Sequence, residues 1–261
     1  MRIMIRRVPD GKITLQEGAK IAVVTINRPE ARNALTREMW QELGNVARAV
    51  KKRGKSRVLI VRGVPGNFTA GSDIKEFCSM TNDEANDAFQ VMEETIALYE
   101  EMPIPVIGAI DGPVYGAGFI FSLAFDLRIG TEHTKMGIPV ARLGIRLGPA
   151  FTDRILYHLG PARLKELVLM STIYGHETAH QLGLLHQVTS RAELDSTVLA
   201  AADRIVHLSA GSVQAVKQAV PSFRQPEEAG AWAYADPQDF HEGCTAFRDK
   251  RAPAFQERGL S

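Results

Sequence analysis

Three short runs of β-branched and aliphatic residues, separated by stretches of helical periodicity, most constrain what this chain can become. Ile21–Ile26, Arg57–Val61 and Val106–Ile110 each read as a buried strand. A turn at Asn27–Glu30 follows the first, and Thr36 then stands as a helix N-cap with Glu38 favourable in the first turn. Met39, Leu43, Val46 and Val50 recur at helical spacing and give one apolar face; Lys51, Lys52 and Arg53 suit the negative end of the helix dipole, and Gly54 stops it. Asp83 is predicted to cap a second helix whose inner face carries Phe89, Met92, Ile96 and Tyr99, with Pro103 and Pro105 ending it. Strand and helix in alternation predict an α/β core. From Pro149 onward the pattern turns helical, with starts predicted near Pro149, Pro161, Thr178, Ala192, Ser212 and Pro237. The expected division is an α/β core over 1–195 and a helical C-terminal region over 196–261.

Several function classes are disfavoured by composition. A chain of 261 residues can bury a sizeable core. Its net charge of +1 gives no electrostatic reason to expect nucleic acid or a membrane surface as partner. No apolar run approaches the ~20 residues of a membrane helix, and the first residues lack the apolar segment of a signal peptide, so a cytoplasmic location is expected. Cys78 and Cys244 are too few for a disulfide framework and lie in no metal-ligand spacing, so neither a metal nor a separate cofactor is expected.

Chemistry concentrates in two glycine-bearing loops. Asn67–Lys75 follows the strand ending at Val61, and Asp111–Gly118 follows the strand ending at Ile110 and runs into the apolar helix Phe119–Phe125. Small residues let a ligand approach the backbone, and a helix start presents free N–H groups suited to negative charge. Two such loops converging would form an oxyanion hole; taken singly, each also reads as a tight turn. The glycine spacing at Gly112, Gly116 and Gly118 is not that of a dinucleotide-binding turn, and no phosphate-binding P-loop occurs. Ser72 and His133 show no nucleophile-elbow context, and His133 reads as part of a solvated turn.

Read together, Val24–Leu35, Phe68–Glu76, Ile104–Gly118, Gly183–Leu184 and the stretch from Asp239 through Glu242 to Arg251 resemble the crotonase superfamily, the enoyl-CoA hydratase/isomerase fold. The resemblance spans nearly the whole chain in order. It implies a crotonase-like spiral of ββα units followed by a C-terminal helical trimerisation region, assembled as a homotrimer or a dimer of trimers. It implies an acyl-coenzyme A substrate, with coenzyme A entering as part of that substrate. The backbone N–H groups of Ser72 and Ala117 would hold the thioester oxygen and stabilise an enolate. Ala70, Asp73 and Ile74 would line the adenine pocket, with Lys75 and Arg32 near the phosphates. Phe247 and Lys250 match positions that reach a neighbouring subunit's ligand.

One departure from the family pattern bears on the reaction. Hydration needs acid–base groups on either side of a water. The two glutamates that the family's hydratases use fall at Ile120 and Val140, neither of which can move a proton. Three readings follow: a family enzyme with other acid–base groups, whether lyase, decarboxylase or isomerase; a hydratase by overall similarity alone; or a catalytically weak acyl-CoA-binding scaffold. Tyr115, Glu76, Asp153 and Arg146 are the polar residues to inspect. Arg146 aligns with the loop at the acyl end of the pocket. There it would turn outward, pair with an acid such as Asp153, or face a carboxylate on a dicarboxylic acyl-CoA.

Overall fold

The computed structural model describes residues 4–7, 11–224, 242, 246, 249–252, 254 and 255. Ten strands among them are β1 (Met4–Arg7), β2 (Ile13–Glu17), β3 (Ile21–Ile26), β4 (Val58–Gly63), β5 (Val106–Ile110), β6 (Pro113–Tyr115), β7 (Leu127–Thr131), β8 (Lys135–Gly137), β9 (Ile173–Gly175) and β10 (Gln187–Thr189). The helices are α1 (Arg37–Arg53), α2 (Ile74–Phe77), α3 (Asn82–Glu100), α4 (Ala117–Leu123), α5 (Pro149–Leu169), α6 (His176–Gln181), α7 (Leu194–Val206) and α8 (Ala210–Arg224).

The strands form two sheets. The larger runs β1-β2-β3-β4-β5-β7-β10, antiparallel through β3 and parallel from there on. The smaller is β6-β8-β9. Single-residue parallel bridges, Leu35 with Ser72 and Thr69 with Val114, extend it, and Val114 in turn pairs with Met136. Successive turns of the chain therefore stack at this edge, and the two glycine-bearing loops become neighbours by topology. This repeated strand–strand–helix winding is the spiral that the resemblance implies.

Local chemistry explains the elements that hold the loops. Thr36 caps α1, accepting from the Met39 N–H, and Gly54 ends it with a left-handed φ of 60°. Met39, Leu43, Val46 and Val50 are all buried, as the helical spacing predicts. In α3 the cap is Thr81, not Asp83. Thr81 and Glu84 form a reciprocal capping box, satisfying two backbone donors where Asp83 would satisfy one. Pro161 does begin a new helical segment: α5 kinks at Gly160, whose φ is 70°.

α4, which begins at Ala117, is buried almost throughout. Phe121 meets Trp40 and Tyr99 edge-on at ring-centre distances of 5.5 and 4.9 Å, and Phe125 packs on Phe68 and Phe121. At the far end of the helix the buried Arg128 guanidinium donates to the carbonyls of Phe125 (2.7 Å) and Leu184 (2.6 Å). That satisfies a charge that would be costly to bury alone. The other face of the large sheet is covered by α7, whose Leu194, Val198, Ala202 and Val206 pack on Val58, Ile60, Ile107 and Ile129.

Candidate active site

The Asn67–Lys75 loop is held by the turn that precedes α1. Arg32 and Asn33 take consecutive left-handed conformations, φ 52° and 55°. Asn tolerates this region because its short side chain bonds locally. The buried Asn33 amide donates to the carbonyls of Asn67 (2.7 Å), Phe68 (3.1 Å) and Ile26 (3.2 Å), and its oxygen accepts from the Arg28 N–H (2.7 Å). The Thr69 hydroxyl donates to the Asn33 carbonyl (2.7 Å) and accepts from the Gly71 N–H (3.1 Å). Leu35 N–H donates to Gly71 O, and Asp73 N–H to Leu35 O.

Asp73 completes the clamp. Its carboxylate pairs with the Arg28 guanidinium at 2.6 Å and accepts from the Lys75 N–H at 3.0 Å. Burial alone would raise its pKa; the bond from Arg28, the N–H groups of Lys75 and Glu76 and the Arg28 charge outweigh it and hold the carboxyl below its ordinary range.

The second loop presses against the first with room only for glycine at the contact. Gly71 has φ 96°, and a methyl group added there would stand 2.5 Å from the Tyr115 carbonyl oxygen and 3.3 Å from the Ala117 nitrogen. One added at Gly118 would stand 2.6 Å from the Thr69 methyl and 3.3 Å from the Gly71 nitrogen. Ala117 is the first residue of α4, so its N–H has no acceptor within the helix. Among the described residues, neither it nor the Ser72 N–H donates to a backbone carbonyl. Two open donors thus lie on touching loops. The Ser72 hydroxyl is engaged elsewhere, accepting from the Trp40 indole N–H at 3.2 Å. His133 pairs with Glu132 in a half-exposed turn, so no Ser–His couple forms.

Around this point Ala70 is tied by its N–H to the Arg32 carbonyl. Arg32 and Lys75 are exposed and make no ion pair among the described residues, leaving two cations flanking the loop. Lys250 is exposed in a turn with φ 52°. Glu242 fixes that turn by a two-pronged contact to Arg251 (2.7 and 3.0 Å) and by accepting the Ala254 N–H; the Arg251 bond is the first cause of its pKa falling to about 2. Phe247 lies outside the described residues.

Ile120 and Val140 are buried, 2% and 7% exposed, within the main apolar core. The other polar candidates disperse. Glu76 accepts from the Arg37 N–H at the start of α1. Asp153 is exposed on α5 and does not line the cavity that Arg146 lines. Burial pushes the Tyr115 phenol up, partly offset by the Arg32 charge. Arg146 is exposed and lines a cavity of about 890 Å³ together with Ile74 and the loop Leu143–Gly148. Asn33, Thr69 and Arg28 are the supporting residues that sequence reasoning passes over. The signal for Asn33 is an Asn directly after a proline-containing turn, a position that favours left-handed backbone.

The fold is a spiral of stacked turns that brings two loops with open backbone donors into contact. The chain belongs to the enoyl-CoA hydratase/isomerase family, of the crotonase superfamily; the family's model matches residues 16–258. A crotonyl-CoA hydratase of Syntrophomonas wolfei is 31% identical, covering 93% of this chain and 97% of its own length. A mouse mitochondrial methylglutaconyl-CoA hydratase is 30% identical, covering 92% and 81%. Among solved structures, an enoyl-CoA hydratase/carnithine racemase from Magnetospirillum magneticum superposes with a TM-score of 0.88 at 27% identity, covering 95% and 96%. Among the described residues no helix is long and apolar enough to cross a membrane.

Proposed function

We propose that the chain binds an acyl-coenzyme A thioester and polarises its carbonyl between the Ser72 and Ala117 N–H groups, stabilising the enolate formed during reaction. The carrying observation is the pair of loops that touch at Gly71 and Gly118 with both neighbouring N–H groups open. Donors fixed in this way need no reorganisation as charge develops; one such donor is typically worth about a hundred- to a thousandfold in rate. In this reading Arg32 and Lys75, both exposed, meet the phosphates of the carrier. The names of the relatives from Syntrophomonas wolfei and mouse support a coenzyme A thioester as the substrate class.

The reaction departs from ordinary hydration. Ile120 and Val140 are buried hydrocarbon where that reaction needs two proton-handling groups, and such a group typically contributes about a hundred- to ten-thousandfold. Acetyl-CoA is expected to raise the melting temperature, since a ligand that binds only the folded state must stabilise it. Crotonyl-CoA hydration is expected at about a hundredth or less of an ordinary hydratase's rate. No thermal shift at millimolar acetyl-CoA would refute the binding; hydration at ordinary rates would refute the departure.

A further inference from the structure

We propose that Arg146 selects acyl groups that carry a carboxylate at the end remote from the thioester. This rests on the thioester reading above and names the substrate class for that same site.

The cavity takes in Ile74 of the first loop, two residues after Ser72 in the chain, and ends on the loop that follows Val140. The Ile145 N–H donates to the Val140 carbonyl, which ties that loop to the buried family position. Its volume of about 890 Å³ suits an extended acyl tail. Phe77, Phe89 and Leu143 give it apolar walls. Arg146 is the sole ionisable side chain lining it apart from the Cys78 thiol, and it makes no ion pair among the described residues. Asn82 and Asn86 also line it, one turn apart on α3, so both amides reach the same space. The acids beside the lining residues in sequence do not compete: Glu84 is drawn back to Thr81, and Asp83, Asp87 and Asp153 do not line the cavity.

A purely aliphatic acyl group would make no use of these three polar side chains, which are exposed to solvent. A terminal carboxylate would use them: two oxygens match the planar fork of a guanidinium, and the amides supply further donors. The apolar walls meanwhile accept the methylenes between the carboxylate and the thioester. A carboxylate directly on the α-carbon would lie beside the oxyanion donors instead, so the preference is for longer dicarboxylic acyl groups.

Titration calorimetry with glutaryl-CoA and pentanoyl-CoA, equal in carbon count, tests this on the intact protein. The wild type is expected to bind glutaryl-CoA about tenfold to a hundredfold more tightly. Arg146→Ala should abolish that ratio by weakening glutaryl-CoA selectively. Arg146→Lys should restore it in part, because the charge returns without the fork. Pentanoyl-CoA bound as tightly as glutaryl-CoA by the wild type would overturn the Arg146 assignment and leave the thioester reading standing. An equal loss of both esters in Arg146→Ala would also overturn it, placing Arg146 on the carrier's phosphates. Failure of the wild type to bind either ester would overturn the thioester reading and this inference with it.

Discussion

The loops that meet at Ser72 and Ala117 and the loop that carries Arg146 are built on opposite principles. In the first region a methyl group added at Gly71, Gly112 or Gly118 would come within 2.6 Å of another atom; in the second, at Gly144 or Gly148, it would meet nothing within 4 Å. Asn33, Thr69 and Asp73 spend their side chains on the first region. The Val140–Gly148 stretch makes its backbone bonds with residues close in sequence, as in Arg142 N–H to Pro139 O and Ile145 N–H to Val140 O, and Arg142, Leu143, Gly144 and Arg146 are exposed. The loops at Ser72 and Ala117 are thus fixed by packing, while the loop that carries Arg146 is free to vary in sequence at little cost to the fold. On the function proposed above, a scaffold divided in this way would keep one carbonyl-polarising device and change the acyl group it accepts.

The sharpest way to break this contrast is Gly71→Ala. The added methyl must push Tyr115 and Ala117 away, and the left-handed backbone is strained for alanine. Acetyl-CoA affinity should fall about tenfold to a hundredfold in calorimetry, with the circular dichroism spectrum unchanged. Unaltered affinity would mean that the two loops do not act together.

Asn33→Ala tests the same region through stability. It leaves the carbonyls of Asn67 and Phe68 and the Arg28 N–H without the Asn33 amide, and about 3 kcal/mol of stability should disappear in urea unfolding. A change below about 0.5 kcal/mol would show that the turn does not clamp the loop.

Asp73→Asn sharpens the same region through pH. The folded carboxyl titrates below its ordinary value of 3.8, so its stabilisation is complete above that pH and is lost as pH falls through the lower folded value. The variant should be less stable than the wild type by about 2 kcal/mol at neutral pH. The gap should stay constant from pH 8 to 5 and close in stronger acid. A gap that does not change with pH would remove the ionised Arg28 pair from the account. The smallest effect is expected at the open loop: Leu143→Ser should shift stability by no more than about 0.5 kcal/mol, since Leu143 is 52% exposed.

Much of this architecture is legible in the sequence because it is written locally. Thr36 and Gly54 bracket α1 where cap chemistry says they should, and the kink before Pro161 follows from a ring that cannot continue a helix. The two glycine loops stand out because each follows an apolar strand. Features that depend on contacts remote in sequence do not show in this way. The bridges Leu35–Ser72 and Thr69–Val114 involve one residue pair each, too short for any periodicity to announce. Asn33 gains its role only when Asn67 and Phe68 fold back onto it. The Asp83 cap expectation fails because Thr81 and Glu84 offer a two-bond alternative nearby. The acyl-end assignment of Arg146 comes from the family resemblance alone. The residue's lack of an ion pair and its place beside Asn82 and Asn86 need the folded chain.

The central claim is that two backbone N–H groups polarise a thioester carbonyl, and infrared difference spectroscopy reads that directly. Acetyl-CoA carrying a 13C-labelled thioester carbonyl would be bound to the wild type and to Gly71→Ala. The carbonyl stretch should move to lower frequency on the wild type, because hydrogen bonds at the oxygen weaken the double bond, and should move back toward its free value in the variant. A bound ligand whose carbonyl frequency equals that in water-free apolar solvent would contradict the account.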